Sequence, residues 1–138
     1  MKPILQEISG LEVLSVKHSG AKNAVILFHG YGANMHDLFP LIEMWNKPET
    51  DFYFPNGILK LEMGAWGGRA WFPIDMQKLQ MFMMRGEHRN MDDDVPEGYE
   101  ETISKLEAFV NEISKNYEKV IIGGFSQGAM CSSHLLMR

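Results

Sequence analysis

Cysteine is almost missing from this sequence. Cys131 stands alone among 138 residues, so no internal disulfide framework is available and a reducing, cytoplasmic setting is expected. Basic residues are in the minority, 13 Lys and Arg against 18 Asp and Glu, for a formal net charge of −5. Nucleic acids and anionic membrane surfaces both call for a basic face, so neither is expected as a partner. No apolar run approaches the roughly 18 residues of a membrane span, and the opening Met1 to Glu7 turns polar too early for a secretory signal. The five histidines are scattered without zinc spacing. Asp92-Asp93-Asp94 lacks the alternating ligand pattern of a calcium loop and reads as a solvated turn. No metal and no cofactor is therefore expected.

What remains is ordinary globular material, 45% hydrophobic, without repeats, low-complexity stretches or a dividing linker. One domain over residues 1–138 is expected. Leu5 to Ile8 and Leu11 to Val16, separated by Ser9-Gly10, read as an opening hairpin. Ala24 to Phe28 is a continuous apolar run of the kind buried on both faces of a mainly parallel sheet. It ends in the glycine-rich turn His29-Gly30-Tyr31-Gly32-Ala33-Asn34. A short helix is expected after it, with Asn34 as N-cap and Asp37 in the capping-box position. Asp51 to Pro55 is another short strand, closed by Pro55-Asn56-Gly57. Residues 56–96 are the least regular part. From Tyr99 onward, Ile103, Leu106, Val110, Ile113 and Tyr117 recur at helical spacing, opposite Glu100, Lys105, Glu112 and Lys115. Val120-Ile121-Ile122 then reads as a last buried strand, and Ala129 to Met137 as a second helix. Strand, turn, helix, strand, turn, helix is the rhythm of a parallel α/β sheet.

The chemistry is concentrated where that last strand breaks. Gly124-Phe125-Ser126-Gln127-Gly128 fits G-x-S-x-G, with an apolar strand before it and a helix after it. In that setting the serine occupies a sharp turn that thrusts its hydroxyl out at the carboxyl end of the sheet, and positive φ is expected at Ser126. The turn is tight enough that side chains two positions to either side would clash, which accounts for Gly124 and Gly128. A phosphate-binding loop is the competing use of such a turn, but it would carry a lysine or a longer glycine series. An oxyanion hole needs two convergent backbone N–H donors. One is expected from Gln127, just after the nucleophile, and the other from Tyr31 in the turn after the earlier strand. His29 is expected to orient that turn and not to act as the base, which in this arrangement follows the serine in the chain.

Four segments together make a resemblance. They are Val25 to Gly32, Phe54-Pro55-Asn56, Arg69-Ala70-Trp71-Phe72-Pro73-Ile74-Asp75 and Gly123 to Ala129. In this order the sequence resembles the phospholipase/carboxylesterase family of α/β hydrolases, which includes acyl-protein thioesterases. The resemblance implies an α/β-hydrolase fold, a mainly parallel sheet with flanking helices. It implies a serine esterase working through an acyl-enzyme on Ser126, with the Tyr31 and Gln127 amides as oxyanion hole. Trp71 and Phe72 would flank the substrate cleft, although aromatics of that size fit a core equally well. The Met-rich stretch Met76 to Met84 could line an acyl-chain site, but ordinary packing under a long connection is the favoured reading.

The family's catalytic Asp and His lie beyond the nucleophile helix. The triad is therefore expected to be incomplete within these residues, since His134 belongs to that helix and is poorly placed to reach back. Thioesterase and lysophospholipase activities use the same machinery as an esterase and are not separable from it by sequence. A different class of reading is a catalytically silent chain acting as a binding module. The expected substrate is a small-molecule or acyl ester. With the later strands absent, the Val120 to Ile122 edge would be exposed and uncharged, so another chain or the remaining half of the domain is expected to cover it.

Overall fold

The computed structural model describes residues 3–42, 49–61, 67–73 and 98–136. The expected hairpin forms from β1 (Ile4–Ile8) and β2 (Leu11–Val16), antiparallel, with Ser9 and Gly10 both at positive φ in the turn. Two residues of left-handed conformation match the twist of the strands that they join. After them come β3 (Asn23–Phe28), β4 (Thr50–Pro55), the short β5 (Leu59–Lys60) and β6 (Arg69–Ala70), helix α1 (Tyr99–Ser114), β7 (Lys119–Gly124) and helix α2 (Gln127–Leu136). Five strands form one sheet in the order β1-β2-β4-β3-β7, in which β4, β3 and β7 run parallel; β5 and β6 form a separate antiparallel pair.

Alternation along the strands sorts the core onto two faces. Ala24, Ile26 and Phe28 of β3 point to the side covered by Ile103, Leu106, Phe109 and Ile113 of α1 and Cys131 of α2. Val25 points the other way, to Met35, Ile42, Phe52 and Phe54. The apolar run Ala24 to Phe28 is thus used on both sides, as its sequence suggests.

Three expectations need correction. Residues 34–40 make a chain of tight turns and no helix. Asn34 does accept the His36 N–H at 2.9 Å, but in an Asx turn. The bonds that follow run three residues back, from Asp37 to Asn34, Phe39 to His36, Leu41 to Leu38 and Ile42 to Phe39, Pro40 having no N–H to add one of its own, and helix begins only at Leu41. Tyr117 falls beyond α1. The helix ends at Ser114, whose hydroxyl turns back to the Val110 carbonyl at 2.7 Å, which leaves Tyr117 free to point its hydroxyl toward Asp51. Finally, β7 is covered on one face only among the described residues. Val120 and Ile122 pack against the core, while Ile121 on the opposite face is 47% exposed. Among the described residues β7 pairs with β3 alone and is an edge. Met76 to Met84 and Asp92-Asp93-Asp94 lie outside the described residues.

Candidate active site

Strands β3 and β7 are parallel and in register, with Phe28 opposite Gly124. The segments that leave their carboxyl ends therefore emerge side by side. The Phe125 N–H donates to the Phe28 carbonyl at 3.0 Å, and this bond roots one turn on the other. Ser126 then adopts φ 56°, one of two non-glycine residues at positive φ among those described. Left-handed backbone costs an ordinary residue about 1–2 kcal/mol, and the surroundings hold it there. Ser126 is exposed, next to Phe125 at 66% exposure. Its carbonyl accepts the Met130 N–H at 3.2 Å and so opens α2.

Both flanking glycines are forced by close approach. A Cβ on Gly128 would lie 2.2 Å from the Phe28 carbonyl oxygen and 2.5 Å from that of His29. A Cβ on Gly124 would lie 2.4 Å from the Gly128 carbonyl carbon. The serine turn and the end of β3 are packed backbone to backbone. A Cβ on Gly30 would come within 3.4 Å of Ser126 Cβ, so the glycine-rich turn passes directly beside Ser126. Among the described residues, neither the Tyr31 N–H nor the Gln127 N–H meets an acceptor, whereas their neighbours Gly32, Ala33 and Gly128 all do. Two free donors flank an exposed serine.

His29 has the orienting position expected of it. It is buried, Nδ1–H donates to the Gly30 carbonyl at 2.7 Å, and Nε2 accepts the Gly57 N–H at 2.8 Å. This pair of bonds selects the neutral Nδ1–H tautomer. Burial holds its pKa below the ordinary histidine value, against the opposing pull of the Gly30 carbonyl. With both nitrogens spent on backbone, it has none to offer Ser126. His134 projects from α2 toward α1, where Nδ1 meets the Tyr99 hydroxyl at 3.0 Å.

Trp71 and Phe72 are both buried. Trp71 stacks on His29 at 5.0 Å, meets the Phe28 ring edge-on at 5.5 Å, and donates its indole N–H to the His29 carbonyl at 2.9 Å. The Phe72 ring packs edge-on against Tyr99. Trp71 thus stands behind the turn and braces it, and both residues also line a cavity with Ile58, Leu59 and Thr102. Three groups had no role in the sequence reading. The Gln127 side chain, itself buried, bonds the backbone of Trp71 and Phe72. The Thr102 hydroxyl donates to the Trp71 carbonyl at 2.7 Å. Arg69 pairs with Glu12 at 3.0 Å and holds that carboxylate below its usual pKa, helped by Asn56. The available signal was weak: a polar residue inside an otherwise apolar or glycine-rich motif, whose partner is far away in sequence.

The described parts of the four motif segments, scattered from residue 25 to residue 129, thus come together around the serine turn and the end of β3. Among the described residues no cluster of three His, Cys, Asp or Glu side chains could hold a metal, and no helix is long and apolar enough to cross a membrane. The sequence matches the phospholipase/carboxylesterase family over residues 10–138. The fold is similar to the crystal structure of esterase PE8, with TM-score 0.67 and 28% identity, over 91% of this chain and 56% of that one. It has a weaker likeness to the Zea mays acyl-protein thioesterase 2, with TM-score 0.49 and 18% identity, over 87% of this chain and 48% of that one. The chain therefore spans about half the length of these solved relatives. Sheet order, the strand–serine–helix turn and the family match agree on an α/β-hydrolase fold, and the chain belongs to the phospholipase/carboxylesterase family.

Proposed function

We propose that these residues are the nucleophile-bearing part of a single α/β-hydrolase domain that cleaves carboxylic esters through an acyl-enzyme on Ser126. The observation that carries this reading is the exposed Ser126 at positive φ, pinned between two glycines that admit no side chain, beside two unpaired backbone donors. Ser126 Oγ bonds to the ester carbonyl carbon while its proton passes to a base. The carbonyl oxygen takes the electron pair and is held by the Tyr31 and Gln127 N–H groups. Removing one such donor typically costs about 10²–10³ in kcat. Collapse expels the alcohol, which takes the proton back from the base, and water then releases the acid by the same steps. His29 and His134 are committed elsewhere, so we assign the base, and the carboxylate that orients it, to a segment outside the described residues. The same machinery serves oxygen esters, thioesters and lysophospholipids; the substrate is a small-molecule or acyl ester. A free, buried Cys131 agrees with a reducing, cytoplasmic setting.

The test uses the polypeptide extended to the length of its relatives. It should hydrolyse p-nitrophenyl butyrate, and Ser126→Ala should remove at least about 10³-fold of that turnover. An alanine variant that keeps wild-type turnover would assign the chemistry to another residue.

A further inference from the structure

We propose that the Gln127 side chain is a positioning residue: it ties the serine turn to the segment that braces the glycine-rich turn, and so fixes the spacing between the Gln127 and Tyr31 N–H donors. This rests on the oxyanion reading above and adds to it a part played by a side chain.

Both ends of the amide are committed. Oε1 accepts the Trp71 N–H at 2.9 Å and Nε2 donates to the Phe72 carbonyl at 2.8 Å. The side chain thus bonds one donor and one acceptor of adjacent residues, as a neighbouring strand would. From there the connections run on to the other turn. The Trp71 indole donates to the His29 carbonyl at 2.9 Å. Arg69 closes the far side, accepting the Gly32 N–H at 2.9 Å and donating to the Ala33 carbonyl at 2.7 Å. Tyr31 lies between those anchor points, on His29 and on Gly32 and Ala33. The direct hydrogen bond between the two turns is at their root, from Phe125 to Phe28. At their tips, Gly30 lies against Ser126. Among the described residues, the Gln127 bridge is therefore a hydrogen-bonded brace closer to the two free donors than the Phe125–Phe28 bond at the root. Glutamine suits the position because asparagine is one methylene shorter. An apolar residue would strand the Trp71 N–H and the Phe72 carbonyl in the interior, at about 1–3 kcal/mol each.

The test compares Gln127→Met and Gln127→Glu in the extended polypeptide, with active sites counted by the burst of p-nitrophenolate. Methionine keeps the volume and loses both bonds. Its kcat per active site should fall about ten- to hundred-fold, the scale of a sub-ångström to ångström misplacement, with KM little changed. Hydrogen exchange at the Trp71 amide should quicken in the same variant. The carboxyl introduced by Gln127→Glu donates to the Phe72 carbonyl only while protonated. The ratio of its kcat to that of wild type should therefore approach one at the acid end of the profile and fall as pH rises. Tyr53→Phe, which removes a hydrogen bond at the opposite end of the sheet, should leave kcat per active site unchanged. A Gln127→Met protein within about twofold of wild-type kcat per active site would overturn the proposal. So would a Gln127→Glu ratio that does not move with pH. Ser126→Ala separates the two levels: if it still turns over ester, the nucleophile reading falls and the catalytic part of this one with it. If it is dead while Gln127→Met is fully active, only the positioning role is lost.

Discussion

Gly128→Ala is the substitution whose effect the backbone geometry decides most sharply. Gly128 is the second residue of α2, where helix propensity alone favours alanine, by up to about 1 kcal/mol. Opposing that is the Cβ, 2.2 Å from the Phe28 carbonyl oxygen where ordinary contact begins at 3.4 Å. Helix and strand would have to part by more than an ångström, in a region where both are backbone and neither can rotate away. Overpacking of this kind costs about 1–3 kcal/mol, and more when backbone must move. We expect a net loss of about 2–4 kcal/mol, or about 1.5 M in the urea midpoint at a slope near 2 kcal/mol/M. The fluorescence of Trp71, buried against His29, reports the transition. The comparison is Gly20→Ala, where φ is +72° but nothing lies within 4 Å of the new Cβ. Left-handed strain costs about 1–2 kcal/mol there, and a stiffer unfolded chain returns about half of it. If Gly128→Ala proved no more destabilising than Gly20→Ala, the close approach of the serine turn to β3 would be wrong.

Three more outcomes follow from named groups. His29 is neutral in the fold and its pKa is depressed by burial, so the stability that it contributes is complete above the unfolded value near 6.5 and declines as pH falls below it; unfolding titrations at pH 7.5 and 5.5 should show the loss, and His29→Gln should flatten it. Burial and the Asp51 carboxylate push the Tyr117 hydroxyl far up, and burial raises Tyr53 as well. Tyr117 donates to Asp51 and accepts from Tyr53, so an alkaline titration at 295 nm should show this pair ionising only above the unfolded value near 10, as stability is lost, and Tyr117→Phe should remove that late step. Burial pushes the Cys131 thiol up to about 12, so it should react with a disulfide reagent only at the rate of unfolding.

Local signals were enough for the hairpin, β3, β4, most of α1 and the serine turn, because each rests on a pattern within a dozen residues: alternation, a continuous apolar run, a 3.6-residue stripe, or glycines around a serine. The errors have a shared cause. Asn34 and Asp37 carry helix-start chemistry, but the bonds from Asp37 to Ile42 run three residues back and Pro40 donates none, so helix begins only at Leu41. Tyr117 keeps the helical spacing of α1, but its hydroxyl has a partner in Asp51, which is 66 residues away. Val120 to Ile122 is apolar throughout, and composition does not say how many faces are covered among the described residues. Trp71 and Phe72 suit a cleft or a core equally by size, and the bonds from Trp71 to His29 and from Thr102 to Trp71, which give Trp71 its bracing position, join residues about thirty or more apart in sequence. The roles of Gln127 and Arg69 were illegible for the same reason: each is defined by partners more than thirty residues distant.

The central claim is that Ser126 becomes acylated. The most direct measurement is intact-mass and peptide mapping of the extended polypeptide after exposure to an alkyl fluorophosphonate, which leaves a stable phosphonyl group on an activated serine hydroxyl by displacing fluoride. One adduct per chain is expected, located on the peptide that contains Gly124-Phe125-Ser126-Gln127-Gly128, and no adduct in Ser126→Ala. Stoichiometric labelling on any other residue, or undiminished labelling of the alanine variant, would contradict it.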